Sequence, residues 1–327
     1  MGRPVRGARG RARLTLLLPP CIPLAMKRSC GSRLWKGLGI LLLLLVGGCG
    51  QDGPRPADDR PHFVTTIPPF EMILRPVVEG RATVEGLLAP GASPHTYDPA
   101  PSDVRATTRG TALVYGAEAL DGWAADLPAP QRLALVDLLP PGARLAVGAG
   151  GHGHGTTVDP HFWVDPLAVK QLLPVLADTL CTIDAGGCPV YRANADSFAT
   201  ALVALDQRLR SIVEPVRDTP VFLTRPFFRY FLGRYGPRLV GVVEPRPGAE
   251  PTPRRLHRLV RRAEASGARA ILTQQFFSER AARAVAEAGG LPLVALDPLG
   301  GTAGRTTYAD LLLANARILR DSLTAAR

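Results

Sequence analysis

Three of the six histidines in this 327-residue chain lie within ten residues of one another. His152 and His154 alternate with glycine in the run 151–155, and His161 stands in the block 159–166, which reads Asp-Pro-His-Phe-Trp-Val-Asp-Pro. The prolines stiffen this block, so we expect its imidazole on a fixed loop rather than on a helix face. A fixed imidazole is a good metal ligand. The alternative is a satisfied, half-buried histidine beside two aromatic residues, and the block alone leaves both interpretations open.

The elements that must position these histidines alternate between strand and helix. Such repeated units predict an α/β fold with two lobes, each a mainly parallel sheet flanked by helices. We expect the first lobe at 62–190 and the second at 217–327, with functional residues at the carboxyl ends of the strands. The predicted strands are 63–67, 83–88, 112–115, 133–138, 221–224, 239–243, 268–273 and 291–296. The predicted helices include 70–80, 120–127, 253–266, 278–288 and 308–324, with a short one after Ser102 and Asp103, which can cap it.

One segment between the lobes breaks this alternation. Phe198, Leu202, Leu205, Leu209 and Ile212 recur at spacings of four and three, with no glycine or proline between them. This spacing predicts a continuous amphipathic helix at 191–214. At about 1.5 Å per residue the helix is roughly 35 Å long, enough to connect both lobes, so we assign 191–216 as the linking segment.

The formal net charge of +11 is concentrated in the first 48 residues, which contain nine basic residues and no acidic one. Subtracting these nine from 39 leaves 30 basic against 28 acidic residues, a balance of +2. The basic excess therefore indicates targeting rather than a surface for nucleic acid. The length is sufficient for two hydrophobic cores of ordinary size.

The N-terminal region has the order of an export signal. A basic segment begins at Met26, an apolar run at 38–46 is too short to span a bilayer, and Val-Gly-Gly precedes Cys49. This resembles a bacterial lipobox, which implies cleavage before Cys49 and lipidation of its sulfur. Residues 1–25 are then an upstream start, 1–48 are removed, and 49–61 form a tether. The alternative is an uncleaved anchor helix; both place the protein outside the cytoplasm and at a membrane.

Two cysteines remain in the folded part of the chain. Cys181 and Cys188 flank a six-residue turn between two helical patterns. In an oxidising compartment a disulfide across this turn is expected, and the spacing does not fit a CxxC metal pair.

Four blocks of the chain resemble the zinc- and manganese-specific solute-binding proteins of ABC importers. They begin at Pro94 with Pro-His-Thr-Tyr-Asp-Pro, at Asp159 with the block above, at Glu250 with Glu-Pro-Thr, and at Asp297 with Asp-Pro-Leu-Gly-Gly. The likeness covers about 62–325 in matching order. It implies two α/β lobes joined by a rigid long helix, with a metal in the cleft between them. Thr252 is also a suitable N-cap for the helix at 253–266.

The resemblance implies a site and a role. His95 and His161 match first-lobe ligands, Asp297 matches the second-lobe carboxylate, and His152 and His154 resemble a short version of the family's histidine-rich loop. The cargo implied is Zn²⁺, with Mn²⁺ as the alternative. The expected protein is a lipid-anchored monomer, at the outer face of the cytoplasmic membrane or in the periplasm. It captures metal for an ABC permease and binds no nucleic acid.

One position departs from the family pattern. Arg225 stands where a third histidine or a glutamate is expected, and a guanidinium has no lone pair to offer a metal. Three outcomes follow. Arg225 swings away and a water or a loop histidine completes the site; Arg225 pairs with Asp297 and closes the site; or the cleft binds an anion or a chelated metal.

An enzyme is the remaining alternative, because two histidines and a carboxylate also describe catalytic zinc. The chain has no HExxH, GxSxG, Walker-type or GxGxxG motif at a suitable junction, so we predict no enzymatic activity. A zinc-dependent hydrolase is the weaker alternative. His257 lies in a basic segment that predicts a solvated helix face rather than a ligand position.

Overall fold

A computed structural model describes residues 60–147, 158–245, 252–275 and 279–325. The expectations for the signal, Cys49, the tether, His152, His154 and Glu250 concern parts of the chain outside these ranges. The segment Asp58–Arg327 forms one compact unit that contains all the described elements.

The first lobe is built on a four-stranded sheet of order β2-β1-β3-β4 in which every pairing is parallel. Parallel pairing follows from the helical crossovers between successive strands. Its elements are β1 (His62–Thr65), α1 (Pro68–Val78), β2 (Thr83–Gly86), α2 (Pro101–Arg109), β3 (Ala112–Tyr115), α3 (Glu118–Asp121), β4 (Arg132–Ala134) and α4 (Leu135–Leu138).

Two local expectations in this lobe were wrong. The segment expected as a strand at 133–138 leaves the sheet after Ala134 and continues as the helical turn α4, because a short apolar run suits a strand or a buried helical turn equally well. Ser102 and Asp103 lie inside α2 rather than at its cap. The Asp103 carboxylate instead accepts the N–H of Ala100 from within the first turn, at 2.8 Å.

Two long helices connect the lobes, α5 (Pro166–Ile183) and α6 (Cys188–Val213). With 26 residues α6 is about 39 Å long, and it starts three residues before the predicted helix because Cys188 and Pro189 form its first turn. Cys181 and Cys188 are joined by a disulfide with an S–S distance of 2.05 Å. By length and composition α5 could cross a membrane, but 44% of it is buried and it packs on α6, as a core helix does.

The second lobe repeats the architecture with a parallel sheet of order β6-β5-β7-β8. The Thr252 hydroxyl accepts the N–H of Arg255 at 3.4 Å, so Thr252 caps α8 as expected and proline follows it at the first helical position. The elements are β5 (Pro220–Leu223), α7 (Arg229–Tyr235), β6 (Arg238–Val242), α8 (Pro253–Ser266), β7 (Ala270–Gln274), α9 (Arg280–Gly289), β8 (Leu293–Leu296) and α10 (Tyr308–Ala325).

The main hydrophobic core is shared between the lobes instead of being divided into two. One cluster of buried residues includes Phe63 in the first sheet, Leu205 in α6 and Leu272 in the second sheet. The reason is that α6 packs against α1 of the first lobe and against α10 of the second. Smaller clusters lie on the outer faces of the two sheets.

An ion pair fixes the α5–α6 connection to the first lobe. Arg81, in the turn between α1 and β2, donates from Nε and Nη2 to the two carboxylate oxygens of Asp184, both at 2.7 Å. The Tyr191 hydroxyl donates to the same carboxylate. The Arg81 guanidinium is the main reason that the pKa of Asp184 falls from 3.8 to about 2.

We expect Arg81→Gln to lower the free energy of unfolding at neutral pH. A carboxyl group with a depressed pKa contributes stability above its unfolded pKa and loses it as the pH falls through the folded value. The gap between parent and variant should therefore narrow as the pH falls from about 4 towards 2. Urea unfolding across this range measures it. Arg192→Gln, which removes an exposed pair with Asp178, is the control and should cost less than about 1 kcal/mol; a gap that does not change with pH would contradict the assignment.

Candidate metal site

His161 stands on a rigid loop between the lobes. It precedes a 3-10 turn at Phe162–Val164, after which Asp165 caps α5 by accepting the N–H of Leu167 at 2.9 Å. The side chain is buried, with 7% of its surface exposed. The sequence left two interpretations open, a ligand on a fixed loop and a satisfied, half-buried histidine. His161 has features of both, because it is buried and hydrogen-bonded and also lies on a fixed loop.

The Asp159 carboxylate orients the His161 ring. Its Oδ1 lies 2.8 Å from His161 Nδ1, and its Oδ2 accepts from Arg229 Nη1 at 3.1 Å. Because a carboxylate only accepts hydrogen bonds, we assign the ring proton to Nδ1, which leaves the lone pair on Nε2. A carboxylate behind a histidine in this way is the usual support of a metal-binding imidazole.

His95 lies opposite, on the 3-10 turn Pro94–Thr96 that follows β2. The indole of Trp123 donates to the Pro94 carbonyl at 2.8 Å and holds this turn against the first lobe. The pKa of His95 is lowered from 6.5 to about 4, mainly by burial and further by the charges of His161 and Arg225, while a hydrogen bond with the Ala119 backbone opposes the shift. At neutral pH this imidazole is uncharged and keeps a lone pair.

The two rings are close to each other, with centroids 5.9 Å apart and planes inclined by 57°. Two imidazoles that bind one tetrahedral zinc at about 2.1 Å have centroids roughly 5 to 6 Å apart. The observed separation lies within this range.

The carboxylate of Asp297, at the end of β8, accepts hydrogen bonds from the turn that follows it. Its Oδ1 accepts the N–H groups of Leu299 and Gly300 at 3.0 and 2.9 Å, and its Oδ2 lies 2.8 Å from Nη1 of Arg305. The turn needs glycine, since Gly300 and Gly301 have φ values of +65° and +78°. The structure thus keeps Asp297 buried with its charge neutralised by Arg305.

Arg225, at the end of β5, pairs with Glu244 at the end of β6. Nε and Nη2 of Arg225 each lie 3.0 Å from Oε2 of Glu244, which is 4% exposed. Among the described residues Arg225 pairs with Glu244, and Asp297 pairs with Arg305, so the pairing of Arg225 with Asp297 is not the one observed. The Arg225 charge still lowers the pKa of His95, so it has not left the neighbourhood of the histidines.

Within the described ranges no three histidine, cysteine or carboxylate side chains come together as a ready metal site. His95 and His161 meet, whereas Asp297 is held by Arg305. The roles of Asp159, Glu244 and Arg305 were not predicted from the sequence. Glu244 could have been found from the rule that sites lie at the carboxyl ends of parallel strands, but nothing in the sequence pairs Arg305 with a residue eight positions before it.

Known proteins resemble this chain over most of its length. Residues 63–322 match the family described as zinc-uptake complex component A, periplasmic. The chain belongs to this family. The high-affinity zinc uptake system protein ZnuA of Bacillus subtilis is 24% identical over 88% of this chain and 98% of its own length. The manganese-binding lipoprotein MntA of Halalkalibacterium halodurans is 24% identical over 84% of this chain and 93% of its own length.

The fold is also that of a solved structure. A zinc-bound variant of AdcAII from Streptococcus pneumoniae superposes with a TM-score of 0.69 at 22% identity, covering 81% of this chain and 98% of that chain. The α/β fold with two parallel sheets and a long connecting helix is confirmed. Membership of the family also confirms a metal-binding receptor of an ABC importer that acts outside the cytoplasm, rather than an enzyme.

We expect Asp159→Asn to change the tautomer of His161. The amide can donate as well as accept, so Nδ1 no longer has to hold the proton, and Arg229 loses its charged acceptor. Nitrogen NMR of the metal-free protein should show a proton on Nδ1 in the parent and mixed tautomers in the variant. Stability should fall by about 1 to 3 kcal/mol. Asp178→Asn, which alters an exposed ion pair, is the control and should leave the His161 tautomer and the free energy of unfolding unchanged. An unaltered His161 spectrum in Asp159→Asn would refute the assignment.

Proposed function

We propose that the protein captures a divalent metal ion, Zn²⁺ in preference to Mn²⁺, between its lobes and delivers it to an ABC permease. The observation that carries this proposal is the pair of imidazoles, His95 and His161, at a separation that suits one ion. Two neutral nitrogen ligands favour zinc, whereas manganese prefers sites richer in oxygen. Asp297 is the third ligand in this proposal, and it must exchange Arg305 for the metal.

Export and anchoring complete the proposal. The signal that begins at Met26 directs the chain out of the cytoplasm, and lipid on Cys49 keeps the receptor, a monomer, near its permease. His152 and His154 are close enough along the chain to His161 to supply an auxiliary ligand when metal is delivered. A water or one of these histidines then occupies the fourth position of a tetrahedral site.

The alternative of a cleft for an anion or a metal chelate has less support. An anion needs a cation that is not already neutralised, and the arginines at this site face carboxylates. The pairs are Arg225 with Glu244, Arg229 with Asp159, and Arg305 with Asp297.

Calorimetric titration of the unit Asp58–Arg327 with zinc should show binding of about one ion. His95→Ala and His161→Ala should each weaken binding by well over the roughly tenfold that loss of a supporting residue causes. His257→Ala is the matched control, because His257 is exposed on α8, and its affinity should equal that of the parent. Equal affinities in all four proteins would refute the assigned ligands. Saturable ester hydrolysis that requires zinc and is lost in His161→Ala would support the hydrolase instead.

The Arg225–Glu244 pair should tune the affinity in opposite directions. Arg225→Gln removes a positive charge near the ion and should strengthen zinc binding by about tenfold or more, whereas Glu244→Gln exposes that charge and should weaken it similarly. The double variant should return close to the parent. Arg225→His should exceed Arg225→Gln because it also adds a nitrogen donor. If only Arg225→His binds zinc and the parent does not, the parent site is closed or serves another ligand.

A further inference from the structure

The outer face of α8 carries a row of arginines that the metal site does not use. Arg254, Arg258, Arg261 and Arg262 project within an arc of about 100° around the helix axis. All four are exposed, and we call them the arginine stripe. The buried residues of α8, Leu259 and Ala263, lie on the opposite face against the second sheet.

The stripe differs from the arginines of the metal site in its surroundings. Arg225, Arg229 and Arg305 each face a carboxylate, whereas no carboxylate in the described parts of the chain forms an ion pair with any of the four stripe residues. Glu264 is the single acid in α8 and lies beyond the stripe towards the C-terminal end. Four uncompensated positive charges are thus concentrated along roughly 12 Å of one helix.

Part of the stripe borders a hollow beside the edge strand β6. The hollow has a volume of about 470 Å³ and is lined by Arg255, Arg258, Arg261 and Arg262 together with Leu259 and the backbone of β6. Nη2 of Arg255 donates to the carbonyls of Val242 and Val243, at 3.4 and 3.3 Å, which fixes one wall. Guanidinium groups around a concave surface are suited to phosphate, which they bind through paired N–H groups.

We propose that the arginine stripe binds the anionic phospholipid headgroups of the membrane to which the protein is anchored. This rests on the proposed export and lipidation at Cys49. From Cys49 to Arg60 the chain makes 11 steps, which reach at most roughly 36 to 40 Å when fully extended. The folded unit therefore remains near the headgroups at all times, and a basic surface on it meets a high local concentration of phosphate.

The chemistry of the stripe favours a membrane over an acidic protein partner. The centre of a protein interface is poor in charge and rich in aromatic residues. The face of the stripe is instead rich in charge and has no aromatic residue, since it contains arginines, His257 and Ala265. A row of exposed cations on one helix face suits a plane of phosphates, to which each cation contributes electrostatically.

Binding by the stripe sets the orientation of the receptor. A lipid on Cys49 limits the distance to the membrane but leaves the folded unit free to rotate. Contact through α8 turns the second lobe towards the headgroups, and because the attraction is electrostatic it weakens as salt is added.

Vesicle co-sedimentation of the unit Asp58–Arg327, which lacks the lipid, tests the proposal. We expect binding to vesicles of phosphatidylglycerol and phosphatidylcholine in equal parts and none to phosphatidylcholine alone. The stripe variant replaces Arg254, Arg258, Arg261 and Arg262 by glutamine. Its binding should fall by at least about tenfold, since each arginine near an anionic surface adds roughly fivefold.

The control replaces an equal number of exposed arginines elsewhere by glutamine, so that the net charge changes equally. It should bind as the parent does. The control residues are Arg105, Arg109, Arg208 and Arg317. The stripe variant should bind zinc with the same affinity as the parent. Loss of vesicle binding is then distinguished from loss of metal binding.

Four results would overturn the proposal. The first is failure of the parent to sediment with anionic vesicles. The second is equal loss of binding in the stripe and control variants, which would show a response to net charge alone. Release by inorganic phosphate, but not by chloride of the same ionic strength, would show that the hollow holds a single phosphate ion. Binding of polyglutamate without binding of vesicles would assign the stripe to an acidic polypeptide.

Discussion

Pairs of buried carboxylates and arginines hold the loop of His161 and the turn of Asp297 in place. A carboxylate without partners costs several kcal/mol when it is removed from water, so each needs hydrogen-bond donors, a cation or a metal. Asp159, at 1% exposure, and Asp297, at 3%, both satisfy this need with a guanidinium. The His95 imidazole is uncharged at neutral pH and needs no such partner, whereas the His161 ring shares the Asp159 carboxylate with Arg229. In the metal-free protein His95 and His161 are therefore close together, while Asp297 is paired with Arg305.

Hydrogen bonds between the lobes keep the histidine block in place. The indole of Trp163 donates to the Pro298 carbonyl at 2.8 Å, and the hydroxyl of Tyr308 donates to the Trp163 carbonyl at 2.6 Å. Tyr230 of α7 donates to the Asp159 carbonyl at 3.2 Å. Residues of the second lobe therefore fix the loop that carries His161. Since α6 also packs against both lobes, the ligands approach one another through packing that exists before any metal binds.

Sequence patterns predicted the architecture well because each element has a local cause. The spacing of apolar residues around Leu205 requires one long helix, and Thr252 before proline defines the start of α8. The end of β4 was harder to predict, since the apolar run after Ala134 suits either a strand or a buried helical turn. The meeting of His95 and His161 came from the family resemblance, and no local pattern links positions 66 residues apart. The Arg225–Glu244 pair depends on neighbouring strand ends, which are defined only once the sheet order β6-β5 is known.

Recruitment of Asp297 has an energetic cost that bears on selectivity. In the proposed site the metal replaces Arg305 at Oδ2, so the apparent affinity is the intrinsic affinity multiplied by the fraction of molecules in which this pair is open. An ion that gains most of its binding energy from the two imidazoles tolerates this reduction. An ion that depends on carboxylate oxygens loses a larger share, because its preferred ligands are the groups already neutralised. In the proposed site, arginine pairing would therefore favour zinc over manganese, through the same contacts that neutralise Asp297 in the structure.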